Sequence, residues 1–119
     1  MRVTDIEEYA YGIAQMSNWK STITIRPSYK LKPHTSDRLM QRLAERLRVQ
    51  VFYTMERDRN DEMYHLHLLL NKHIANQQVC KATGLNPKAV KYNEPIRKPQ
   101  ITSYIIKNIN RENSHHNLF

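Results

Sequence analysis

The chain has 119 residues, enough for one domain with one core and no second one. Nineteen Lys and Arg against eleven Asp and Glu give a formal charge of +8, an excess that points to an anionic partner, most often nucleic acid. The two glycines, Gly12 and Gly84, exclude a glycine-rich phosphate loop, and the single Cys80 excludes an internal disulfide, a Cys-rich zinc site and a CxxC redox pair. No apolar run exceeds three residues, so no transmembrane span or signal-peptide core is expected. The cysteine usage suits a reducing, intracellular setting, with no membrane partner.

In chain order, residues 4–17 read as a helix. Thr4 and Glu7 form a capping box, and Ile6, Tyr9, Ile13 and Met16 recur at helical spacing. Residues 1–20 therefore count as an N-terminal helical extension. Residues 21–26 (STITIR) alternate Thr and Ile as a half-buried strand closed by Pro27. A basic loop over 30–34, with Lys30, Lys32 and Pro33, leads to a helix over 35–48 marked by Leu39, Leu43 and Leu47. Arg38, Arg42 and Arg46 form a neighbouring stripe, either a solvated face or a set of phosphate contacts.

Residues 50–57 and 63–70 read as strands, and the polar stretch between them makes the pair a hairpin. A short helix over 74–83 ends at Gly84, and residues 88–93 alternate as a further strand. Pro95 and Pro99 break the chain before a last helix over 100–111. Past the first helix, the order is strand, helix, strand, strand, helix, strand, helix. The expected fold is α+β: a ferredoxin-like (split βαβ) antiparallel sheet with helices on one face, and an added C-terminal helix.

His65 and His67 flank Leu66 in mid-strand, so both imidazoles point to one face. Imidazole is a common ligand for divalent transition metals. With the hairpin turn centred between Asn60 and Asp61, Glu56 lies opposite His65 and Thr54 opposite His67. Glu56, His65 and His67 then converge on an open sheet face. The other face carries Val51, Tyr53 and Met55 against Tyr64, Leu66, Leu68 and Leu70, an apolar layer fit to pack beneath helices. A one-residue slip would bury the charges, which ties the register to the pattern.

In the last helix, Tyr104 and Lys107 stand three residues apart and share a surface, with Arg111 on the same side. Ile101, Ile105 and Ile109 form the stripe that would dock that helix. Of the tyrosines on expected helices, Tyr9, Tyr11 and Tyr104, the last alone has a basic residue one turn behind it.

His65-Leu66-His67, followed about 37 residues later by Tyr104-Ile105-Ile106-Lys107, resembles the HUH endonuclease superfamily, in particular its rolling-circle replication initiators. The resemblance spans about residues 21–111, with residues 21–26 as a loose match to the family's first strand motif. It implies a single HUH-type nuclease domain over 1–119 that nicks and rejoins single-stranded or hairpin origin DNA through a 5′-phosphotyrosine. It implies His65 and His67 as metal ligands, Glu56 as the third, Mn²⁺ or Mg²⁺ as the cofactor, Tyr104 as nucleophile and Lys107 as its electrostatic aid. Lys30, Lys32 and Arg111 are the candidate DNA contacts. A chain without a helicase motif would rely on a host or viral helicase and polymerase. One tyrosine per chain leaves a homodimer and attack by the freed 3′-hydroxyl both open. A single-tyrosine transposase or relaxase of the same superfamily is an alternative.

A helix-turn-helix regulator is a competing reading, from the spacing of residues 79–85 and Val90 around Gly84. A ferredoxin-like RNA-binding module is another, weakened by the two histidines and Glu56 on the face that would stack bases. Residues 113–119, with His115 and His116, are expected to be a flexible tail.

Overall fold

The computed structural model describes Gly12 and residues 19–57, 63–96 and 115–119. Its elements are β1 (Ser21–Ile25), α1 (Pro33–Leu47), β2 (Val51–Arg57), β3 (Tyr64–Leu70), α2 (Asn76–Thr83), a 3-10 turn (Pro87–Ala89), β4 (Val90–Pro95) and β5 (His115–Leu118). The five strands form one sheet in the order β4-β1-β3-β2-β5, every neighbouring pair antiparallel. The chain is thus α+β, and among the described residues two α-helices accompany the sheet. None of them is long and apolar enough to cross a membrane.

The apolar alternation of the strands explains where the core lies. Ile23, Ile25, Val51, Tyr53, Met55, Leu66, Leu68 and Leu70 share one face and join Leu39, Met40 and Leu43 of α1 and Val79 and Ala82 of α2 in a single buried cluster. Leu43 has no exposed surface, so Leu43→Ala costs about 2–5 kcal/mol in lost transfer energy and cavity.

Helix α1 starts two residues before the expected position. Pro33 serves as its first helical residue, where the missing N–H is no loss and the fixed φ suits the turn. The helix ends on Arg48, a left-handed residue at φ 51° whose N–H donates to Ala44 O. Helix α2 starts two residues later than expected, with the Ala75 N–H donating to Gln78 Oε1 at 3.0 Å. Gly84 closes it at φ 77°, a conformation that favours glycine.

Arg46 Nη1 donates to Lys81 O at 3.4 Å and Ala82 O at 3.1 Å, satisfying end carbonyls of α2. Of the arginine stripe, Arg46 is therefore a structural tie between the helices. After Gly84 the chain forms the 3-10 turn and β4, not a second helix. The helix-turn-helix expectation fails there: Pro87 opens the short turn, and the following residues pair with β1.

The expected flexible tail is also corrected over its final residues. His115–Leu118 is strand β5, which covers the outer edge of β2 with Phe52 opposite Leu118 and Thr54 opposite His116. Phe119 extends the pairing through reciprocal backbone bonds with Val51 at 2.8 and 3.0 Å. Its ring stacks on Tyr53, with centroids 6.5 Å apart. Asp37 of α1 accepts from the Tyr53 hydroxyl and from His115 Nε2, the latter at 2.9 Å. These contacts hold the strand against the helix.

The second sheet face is only partly open. Thr22, Phe52, Thr54 and Leu69 on that face are buried, at 4% exposure or less. Phe52 and Leu69 are directly opposed, and two large apolar side chains side by side favour cover over solvent. The face opens towards Glu56, His67 and Arg26. Apart from Gly12, the helices expected over 4–17 and 100–111, and the hairpin turn, lie outside the described residues.

Candidate metal centre

The hairpin register is the one the turn residues and alternation require: Glu56 opposes His65, and Thr54 opposes His67. Glu56 Oε2 stands 3.2 Å from His65 Nε2 and 3.3 Å from His67 Nε2, so one oxygen faces both ring nitrogens. One ligand atom from each of the three residues lies within 4.8 Å of the others. Metal bonds of about 2.1 Å place neighbouring ligands of an octahedron about 3 Å apart, close to the two measured edges. The three residues expected from the sequence are thus brought together as a group that could hold a metal ion.

The environment favours the ligating form of His67. Burial, then the positive fields of His65 and Arg26, outweigh the attraction of Glu56 and lower the His67 pKa below the ordinary imidazole value. The ring is therefore neutral near pH 7, with a lone pair to give. The His65 and His67 rings meet edge to face, with centroids 4.6 Å apart, which fixes their relative orientation.

Two threonines complete the surroundings, and both were missed as site residues. Thr24 of β1 pairs with His67, and its Oγ1 lies 3.3 Å from His67 Nδ1. With Nε2 turned to the ligand group, the Nδ1–H donates to Thr24, which fixes tautomer and ring angle. Thr54 is fully buried opposite His67, and its Oγ1 has no hydrogen-bond partner among the described residues. A buried unpaired hydroxyl is costly, and a water or ligand at the centre would satisfy it. The donor set, the neutral His67 and this orphaned hydroxyl all fit a divalent cation. Alternation alone placed both threonines on the face, but no local pattern shows that β1 lies beside β3.

The other expected residues are placed less tightly. Lys30 and Lys32 lie exposed in the loop between β1 and α1, Lys32 at the N-cap position of α1. They share no strand with the metal residues. Tyr104, Lys107 and Arg111 lie outside the described residues. Tyr53, in contrast, is buried in the core face. Burial, then its bond to Asp37, raises its pKa far above the ordinary phenol value, so it stays a protonated donor. His116, opposite Thr54, has its pKa lowered by burial and then by His115. No family model, curated protein or solved structure matches the chain.

Proposed function

We propose that this protein nicks and rejoins single-stranded DNA in a metal-dependent reaction, as a replication initiator of the HUH kind. The observation that carries the reading is the convergence of Glu56, His65 and His67 on one sheet face. The strand order β4-β1-β3-β2 with two helices on the opposite side supports the split βαβ reading of the domain. The +8 charge supports an anionic substrate.

Glu56, His65 and His67 would hold the cation, Mn²⁺ or Mg²⁺. When bound, it supplies charge stabilisation to a phosphate whose oxygens carry developing charge. Thr24 holds the His67 ring in place. Tyr104, in the segment over 100–111 that the sequence pattern reads as helical, is the nucleophile in this reading. Its phenolate oxygen bonds to phosphorus as the bond to the 3′-oxygen breaks. The 3′-oxygen takes up a proton and leaves as a hydroxyl, and the 5′-phosphate stays on the tyrosine. A phenol has an ordinary pKa of about 10, and the Lys107 cation favours its ionised form. The covalent link conserves the phosphodiester energy, so rejoining needs no nucleotide. Single-stranded or hairpin origin DNA is the partner.

Incubation with single-stranded oligonucleotides and Mn²⁺ tests this. A covalent protein–DNA adduct on a denaturing gel is the expected result, lost in EDTA. Adduct formation that persists in EDTA, or none with any oligonucleotide of a randomised pool, overturns the reading.

A further inference from the structure

Strand β4 forms the outer edge of the sheet, and its pairing with β1 is irregular. Thr24 pairs with Tyr92, but Ile25 pairs with Val90, so the chain accommodates Lys91 as an extra residue. Such a bulge sets two residues of one strand against one of its partner. Lys91 and Tyr92 therefore stand side by side, and both are exposed. Tyr92 keeps 47% of its surface in solvent.

The face Tyr92 occupies follows from the register. Tyr92 is directly opposite Thr24, and Thr24 is directly opposite His67. Directly opposed residues share a face. Tyr92 is thus on the same face as the metal ligands, two strands from His67, which is about 10 Å at the usual strand spacing. Arg26 follows Thr24 at the exposed end of β1, near enough for its charge to act on His67. Glu94, exposed opposite Thr22, bounds the strip on the other side. An anionic chain crossing Tyr92 is therefore directed towards Arg26 and the metal residues and away from Glu94. Tyr29 is equally exposed at 47%, but it lies in the loop before α1 and shares no strand with the ligands.

We propose that Lys91 and Tyr92 form a docking platform for single-stranded DNA beside the metal centre, with one base stacked on the Tyr92 ring and an adjoining phosphate held by Lys91. This rests on the single-stranded DNA substrate proposed above. A flat ring accepts any base, because every base has a π face, and stacking of this kind is independent of sequence. A cation next to the ring adds the phosphate contact that a duplex-free strand leaves exposed. The bulge, not the regular pleat, is what places the two side chains together.

Fluorescence anisotropy with labelled oligothymidine, in EDTA and at two salt concentrations, tests this on the full chain. An abasic oligomer of equal length serves as the phosphate-only probe. Tyr92→Ala is expected to weaken oligothymidine binding about five-fold or more, Tyr92→Phe to leave it unchanged, and neither to alter binding of the abasic probe. Lys91→Ala is expected to weaken both probes and to lower the salt slope by about one. Mn²⁺-dependent thermal stabilisation reports that each variant is folded with its metal residues intact. Equal oligothymidine affinity in wild type and a folded Tyr92→Ala overturns the platform alone. A wild-type protein that binds Mn²⁺ but neither probe overturns the DNA reading with it.

Discussion

Thr24 Oγ1 lies 3.3 Å from His67 Nδ1, so the first strand of the sheet fixes the angle of a histidine on the third. The pair is 43 residues apart in sequence. It links formation of the β1–β3 ladder to the quality of the metal centre. A His67 ring free to rotate would present its Nε2 to the group only part of the time.

Thr24→Val keeps the shape and β-branching but removes the acceptor. Affinity for Mn²⁺, measured by calorimetric titration, is expected to fall about 10-fold or more, while the fold persists. Thr24→Ser is expected to retain most of the affinity. Unchanged affinity in Thr24→Val would show that packing alone orients the ring.

Removing the ligands should abolish the linkage between metal and stability. Saturating Mn²⁺ at about 100 times its Kd stabilises a folded protein by about 2.7 kcal/mol, visible as a raised Tm. The His65→Ala/His67→Ala double variant is expected to unfold at the same temperature with and without Mn²⁺. Wild type in EDTA is expected to match wild type without added metal. A double variant still stabilised by Mn²⁺ would place the ion elsewhere.

Asp37 contributes to stability in a pH-dependent way. Burial raises its pKa, but the hydrogen bonds from Tyr53 and His115 and the charge of His115 outweigh that and lower it overall. The carboxylate form is thus favoured by folding. Its contribution is fully present above the unfolded pKa, near 4, and is lost as pH falls through the lower folded value. Asp37→Asn is expected to cost on the order of 1 kcal/mol at pH 7 in urea unfolding, and progressively less below about pH 4. A cost that stays constant down to pH 2 would mean that the lost bond geometry, not the charge, is responsible.

Tyr104→Phe removes one oxygen. In the proposed reaction it binds metal and single-stranded DNA as wild type does but forms no covalent adduct. Peptide mapping that places the DNA on another tyrosine would reassign the nucleophile.

The register of the hairpin was legible in the sequence. Polar turn residues and the contrast between a face that carries Glu56, His65 and His67 and a wholly apolar face leave one register, and Glu56 opposite His65 follows from it. The core was legible for the same reason: Leu39, Leu43, Val51 and Leu68 are apolar at the period of their elements. Long-range pairing was not. His115–Leu118 is short and polar, with no alternation to mark it, and its partners on β2 and α1 lie 60 or more residues away. Arg46 reads as one of three equivalent surface arginines until α2 is placed beside it. The cover over Phe52 and Leu69 likewise depends on what meets that face, which alternation cannot show.

Strand β5 also settles how the molecule meets others of its kind. Residues 51–55 (VFYTM) are β-branched or aromatic at most positions, uncharged, and free of Pro and Gly. Left bare, their backbone would be a template for the same segment of another copy, the hazard from which strand-by-strand aggregation starts. The four residues of β5 occupy those N–H and C=O groups first. A chain shortened by residues 115–119 should therefore betray itself less by lost activity than by turbidity and thioflavin binding as its concentration rises.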